Sequence, residues 1–347
     1  MKKFILSFLP LIALLCFSCE DEPVGKANIN TDYIEVNSEL YELLVDISGR
    51  IPEDEITCID FNYSFTLFIF DEQQQFLEAI AMHNDAQFSD LLEGLQQGQS
   101  ISLNFPITGT LLNGELVEIN NTHELKESID QCIQEEVLGN CNAALSIPRC
   151  IWKVTDPGNP DNPYNNSVFV LNQDGSANYH YENDVYFGTW ITYFVETELH
   201  LNIFIQDDTE IGEEWNFDWK LDYFSNSLMI LSEGNRTYEI STNCDLPCFS
   251  TAVYQECELE NSPGYAEFNL QQYTYCLGVS ANSNEGEAIR ITFHETEMDA
   301  MDGIHAVSST SYINSTNPQE IYPRASDLDT GELVSIFAFT IEAVVCD

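Results

Sequence analysis

The chain has 347 residues, 44% hydrophobic and 12% aromatic, enough apolar material for packed cores in two or three domains. Its 11 Lys and Arg stand against 58 Asp and Glu, a formal net charge of −47. A field of that sign repels nucleic acid and anionic membrane surfaces, which argues against both as partners of the body, and it suits a salt-rich setting, cations and basic ligands.

The chain opens with Lys2 and Lys3, an apolar stretch from Phe4 to Leu15, and small Ser18 directly before Cys19. The stretch is short for a spanning helix and ends at a cleavage-like site, so residues 1–18 read as a secretory signal. Leu15-Cys16-Phe17-Ser18-Cys19 resembles the lipobox of bacterial lipoproteins, departing from it in the bulky Phe17 and the extra Cys16. That resemblance implies acylation of Cys19 and a membrane partner reached through lipid, each buried methylene contributing about 0.8 kcal/mol. Glu20, Asp21 and Glu22 follow, similar to the surface-export signal of Bacteroidota lipoproteins, which implies display outward from the outer membrane. Residues 19–38 are polar and read as a flexible tether.

Residues 39–145 carry a degenerate repeat. Apolar Phe65 to Phe70, a polar turn at Asp71 to Gln75, and Phe76 to Met82 precede the amphipathic Phe88, Leu91, Leu92 and Leu95. The second copy runs from Phe105-Pro106-Ile107 through the Asn113-Gly114 turn to Leu116, Val117 and Ile119, then to Leu125 and Ile129. Each copy reads as strand, hairpin, strand and helix, with Asp85 and Thr122 as the expected N-caps. The unit is similar to one in uncharacterised Bacteroidota surface lipoproteins, a resemblance that carries no activity.

Residues 146–245 read as short strands without helices, an antiparallel meander that is closed or nearly so. Trp152, the turn at Asn172-Gln173-Asp174-Gly175, Gly188-Thr189-Trp190 and Phe217-Asp218-Trp219 occur in the order of lipocalin-like domains of bacterial lipoproteins, which this region resembles. The resemblance implies a barrel able to hold a small apolar ligand, with Trp152, Trp190 and Trp219 as pocket candidates, although in a small barrel such aromatics more often fill the core.

Residues 246–347 contain Ala266-Glu267-Phe268-Asn269-Leu270, Ile291-Thr292-Phe293-His294-Glu295-Thr296, Gln319-Glu320-Ile321-Tyr322-Pro323-Arg324 and a closing strand from Phe337 to Val345. This order resembles the immunoglobulin-like module repeated in flavobacterial surface proteins, which implies a β-sandwich acting as spacer or adhesive element. Pro323 stands where that family has a β-branched residue, so its strand is expected at an edge.

Eleven cysteines in an exported chain suggest disulfides. Cys58 and Cys132 bracket the first region and Cys150 and Cys244 the second; Cys248 and Cys346 lie at the ends of the third with Cys257 and Cys276 inside it, leaving Cys141 over. Zinc at Cys244 and Cys248 lacks a second close pair of ligands. Calcium is the one cofactor left open, at Asp156 to Asp161, at Asp207, Asp208 and Glu210, or at Asp327 with Asp329, none with an EF-hand pattern. No nucleophile elbow, phosphate loop or dinucleotide fingerprint is present, and His294-Glu295 lacks the second histidine of a zincin. The expectation is a mainly β chain with an α+β N-terminal part. It would be non-enzymatic, lipid-anchored at the surface, and engaged in adhesion or capture of a glycan, protein or small apolar ligand; the alternative is a carrier holding its ligand inside the barrel.

Overall fold

The computed structural model describes residues 32–48, 57–207, 209–246, 253–277 and 287–346, so Cys19, Glu20, Asp21, Glu22, Asp208 and Cys248 lie outside the described residues. They are mostly strands, as expected, and fall in two compact units, Met1–Ile133 and Gln134–Asp347.

The first unit holds β1 (Ile34–Glu35), α1 (Glu39–Ile47), β2 (Ile59–Asn62), β3 (Phe65–Phe70), β4 (Phe76–Met82), α2 (Asp85–Gly94), β5 (Ser100–Leu103), β6 (Ile107–Leu111), β7 (Leu116–Ile119) and the start of α3 (Thr122–Leu145). The two hairpins and their helices fall where the repeat predicts. The caps lie one residue earlier than Asp85 and Thr122. Asn84 Oδ1 accepts from Gln87 N at 2.9 Å while Gln87 Oε1 accepts from His83 N at 3.1 Å. In the second copy Asn121 Oδ1 accepts from Glu124 N at 2.9 Å and Glu124 Oε2 from Asn120 N at 2.8 Å. An asparagine in extended backbone can reach the free N–H of the first turn, and the residue three on answers the chain ahead of it. The expected tether is also shorter than residues 19–38, because Ile34, 2% exposed, pairs with Ile101 and joins the core.

Strand pairing in this unit is reciprocal. β5, which precedes the second hairpin, pairs with β3 of the first; β2, which precedes the first, pairs with β6 of the second. The sheets are therefore β1-β5-β3-β4 and β2-β6-β7. Phe65, Leu67, Phe88, Ile101, Ile119, Leu125 and Ile129 share one core with residues of both copies.

The second unit opens with β8 (Ile151–Thr155), β9 (Val168–Leu171), β10 (Ser176–Tyr181), β11 (Asp184–Val195), β12 (Glu198–Ile205), α4 (Glu210–Trp215), β13 (Asp218–Phe224), β14 (Leu228–Glu233) and β15 (Arg236–Asn243). Each strand pairs antiparallel with the next, with α4 lying between β12 and β13, and β15 returns to β8, so the eight strands close into a barrel. Closure removes the sheet edges. Gly188 is required in this wall: a Cβ there would lie 2.1 Å from the Phe204 carbonyl oxygen.

The remainder comprises β16 (Val253–Cys257), β17 (Glu267–Phe268), a 3-10 helix (Leu270–Cys276), β18 (Ile289–His294), α5 (Glu297–Asp302), β19 (Tyr312–Ile313), β20 (Gln319–Asp327), β21 (Leu333–Ile336) and β22 (Phe339–Val344). It does not stand apart from the barrel. β12 leaves β11 at Gly188, and β18 takes up the same edge through Asp184↔Arg290 and Val185↔Ile289. Arg290 clasps Asp184 with two charge-assisted bonds of 2.7 and 2.8 Å, and Val185 and Phe187 of the barrel wall join the last region's core. Pro323 is not on an edge: β20 lies between β18 on one side and β21 and β22 on the other. The proline is tolerated because its missing N–H falls where β20 changes partner from β22 to β21, while its carbonyl still accepts from Phe337 N at 2.9 Å.

Candidate functional site

The barrel interior is the first place to look for a ligand, and it is full. Trp152 and Trp219 are fully buried and Trp190 nearly so; all three belong to one apolar core with Phe169, Tyr179, Ile203 and Leu231. The axis is occupied by Trp215, carried in from the mouth by α4. Its ring centroid lies 4.8 Å from Phe169, 5.3 Å from Tyr179, 5.6 Å from Trp219 and 4.9 Å from Tyr238. Cys141, Ala144 and Leu145 of α3 join the same core, and Trp152 Nε1 donates to Leu145 O at 2.8 Å. Of the two roles open to Trp152, Trp190 and Trp219, the packing gives them that of core, and the interior carrier loses its room, because eight strands leave space only for side chains or for a ligand.

Trp215 is not among the residues that the sequence marks out. Above Trp215 the mouth carries an open cleft of about 570 Å³ between the β8–β9 loop, α4 and β15. Tyr238 Oη donates to Glu214 Oε1 at 2.8 Å and accepts from Asn162 Nδ2 at 3.1 Å, and that amide also donates to Asp156 Oδ2 at 2.8 Å. Arg236 Nη1 donates to Glu214 O at 3.1 Å, and its guanidinium lies 4.0 Å above the Phe217 ring. Burial raises the Tyr238 hydroxyl well above the usual phenol range, and the Glu214 carboxylate raises it further against the Asn162 bond. The cleft therefore offers fixed hydrogen-bonding groups over aromatic faces. The Asn159-Pro160-Asp161-Asn162-Pro163-Tyr164-Asn165-Asn166 run is the sequence signal that could have located it.

The calcium candidates are not brought together. Asp207 Oδ1 accepts from Thr209 N, Asp327 Oδ1 from Asp329 N and Thr330 N, and Asp156 Oδ1 from Gly158 N and Asn159 N; each carboxylate closes its own turn. Among the described residues no three acidic, His or Cys side chains form a metal-binding group. His294, buried on β18, has Nδ1 at 2.7 Å from Ile304 O, an acceptor, so Nδ1 carries the proton and Nε2 accepts from Thr292 Oγ1 at 2.9 Å. That is a structural role.

Three disulfides lie among the described residues: Cys58–Cys132, Cys150–Cys244 and Cys257–Cys346. The last corrects Cys248 as the expected partner of Cys346 and removes Cys257 from Cys276. The parallel pairing of β16 with β22, Cys257 opposite Val344, brings Cys257 beside the chain end. Cys141 is free and buried, its thiol pushed up to about 12 by burial. Among the described residues no helix is long and apolar enough to cross a membrane.

Neither a curated protein nor a solved structure matches the chain. Residues 253–345 match the family model of the Flavobacterium inter-domain disulphide bond domain, and this module, with the three bridges, fits a Flavobacteria-like protein of the bacterial surface or extracellular space.

Proposed function

We propose that the chain is a non-enzymatic surface lipoprotein: a body anchored through lipid on Cys19, displayed outward by the Glu20-Asp21-Glu22 signal, and serving adhesion or capture. The observation that supports this reading best is the placement of the bridges. Each joins residues near the two ends of a folded segment, closing 74, 94 and 89 residues of chain. In the chain-entropy account a loop of that length is worth about 4–5 kcal/mol, an investment that suits a protein working outside the cell without chaperones or reductants to maintain it. With the interior filled, capture falls to exposed surface, and the mouth cleft over Glu214, Arg236 and Tyr238 supplies polar groups suited to a glycan.

The anchor is tested by metabolic labelling with an alkyne fatty acid. Wild type should carry label and Cys19→Ser should carry none; equal labelling of the two removes the lipoprotein reading. Protease shaving of intact cells should degrade the wild-type body, and full protection would place it facing inward.

A further inference from the structure

We propose that β4 is a docking edge that takes an extended, basic–apolar peptide segment of a partner protein by strand addition. β4 is seven residues long, ends its sheet, and pairs only with β3 among the described residues. Its sequence, Phe76-Leu77-Glu78-Ala79-Ile80-Ala81-Met82, is apolar at every position but Glu78, yet Phe76 and Leu77 are 49% and 50% exposed. Proteins blunt such edges with charged side chains, lysine above all, with proline, bulges, short length or a covering segment; the one charge on β4 is Glu78. β4 has neither lysine nor proline, and a register shift at Ile69/Phe70 disturbs only its first residues. The corresponding strand of the second copy, β7, has four residues.

The backbone groups available to a partner follow from the ladder. Asn104 N donates to Thr66 O, so Thr66 and Phe68 turn their backbone groups toward β5, and Leu67 turns its own toward β4. Leu67 faces Ile80 and Ile69 faces Glu78, so Glu78 and Ile80 are bonded to β3, while Ala79 and Ala81 direct N–H and C=O outward. Those two small residues leave the approach clear.

Charge selects the occupant. Between residues 57 and 133 there are twelve Asp and Glu and one basic residue, Lys126, which is already paired with Glu39 and Asp130. A second copy would bring the same acidic surface against itself, with Glu78 in both edge strands. A strand carrying lysine or arginine between apolar residues meets complementary charge, and its main chain supplies the hydrogen bonds.

The test uses the full mature protein and a synthetic peptide alternating valine and lysine, with a valine–aspartate peptide as counterpart. The lysine peptide should bind, weaken as salt is raised, and slow hydrogen exchange at Ala79 and Ala81, leaving Glu78 and Ile80 unchanged. Ala79→Pro removes an outward N–H and no ladder bond, and should reduce affinity about tenfold or more, whereas Ala79→Val should retain it. Full affinity in a natively folded Ala79→Pro protein overturns the proposal, as does equal binding of both peptides. Should Ala79→Pro fail to fold, the wild-type exchange pattern decides alone: no slowing at Ala79 and Ala81 refutes strand addition. Concentration-dependent dimerisation of the free protein that protects the same amides would assign the edge to a second copy instead.

Discussion

Trp215→Ala tests the filled barrel directly. Trp215 is wholly buried, and its ring meets Phe169, Tyr179, Trp219 and Tyr238, with Tyr164 a fifth neighbour at 6.1 Å. Truncating a buried Phe or Trp to Ala costs about 3–5 kcal/mol, depending on how far the site collapses. Collapse is restrained here, since every wall strand is hydrogen-bonded on both sides around a closed ring, so the loss should lie near the upper end, about 5 kcal/mol. All four tryptophans of the chain lie in the second unit, so urea denaturation followed by their fluorescence, with disulfides intact, reports on that unit alone. The space vacated is walled by aromatic rings and should stay dry and admit indole, which should raise the variant's denaturation midpoint and leave the wild type unchanged. A loss below about 2 kcal/mol with no indole effect would mean that the interior is not packed around this side chain, and the carrier reading would return.

Two further outcomes concern a buried histidine and the disulfides. His180 on β10 is buried against Tyr275, and burial lowers its pKa from 6.5 to about 3. Because the folded value lies below the unfolded one, the unfolded chain binds the proton first: the His180 contribution is intact above pH 6.5 and declines as pH falls toward 3. Subtracting the pH–stability curve of His180→Gln cancels the carboxylates common to both proteins and should leave that decline; superimposable curves would remove the assignment. Peptide mapping without reduction should recover Cys58–Cys132, Cys150–Cys244 and Cys257–Cys346, with Cys141 alkylated only after unfolding. A Cys248–Cys346 peptide would show that the strand register of β16 on β22 is wrong.

The repeat in the first unit was legible because hairpin turns and helix starts are local signals. Asp71 and Asn113 each close a turn through their own carboxyl or amide oxygen, and Asn84 and Asn121 cap through bonds spanning three residues. What could not be read was which strand completes each hairpin. β2 and β5 have equal length and similar alternation, and nothing in either distinguishes the near hairpin from the far one. The reciprocal exchange is a tertiary choice, made by burying Ile59, Phe61, Ile101 and Leu103 in one shared core. The same reason accounts for Pro323: a proline in a strand points to an edge unless a change of partner happens to fall beside it, and partner changes leave no trace in local sequence.

The barrel separates fold from site most sharply. Its strand spacing and the turn at Asn172 to Gly175 announce a closed meander. Whether such a barrel is hollow depends on what enters it from outside the strands, and here the decisive residue arrives on α4. That helix is six residues long and includes Gly212, where a Cβ would lie 1.9 Å from the Asp207 carbonyl oxygen. Only glycine lets α4 lie this close to the preceding loop, and that approach carries Trp215 onto the axis. A tryptophan three residues after a glycine between two strands is weak evidence in a sequence with 21 Phe and 16 Tyr. In three dimensions it fills the interior, so a ligand of the kind proposed would have to meet the rim.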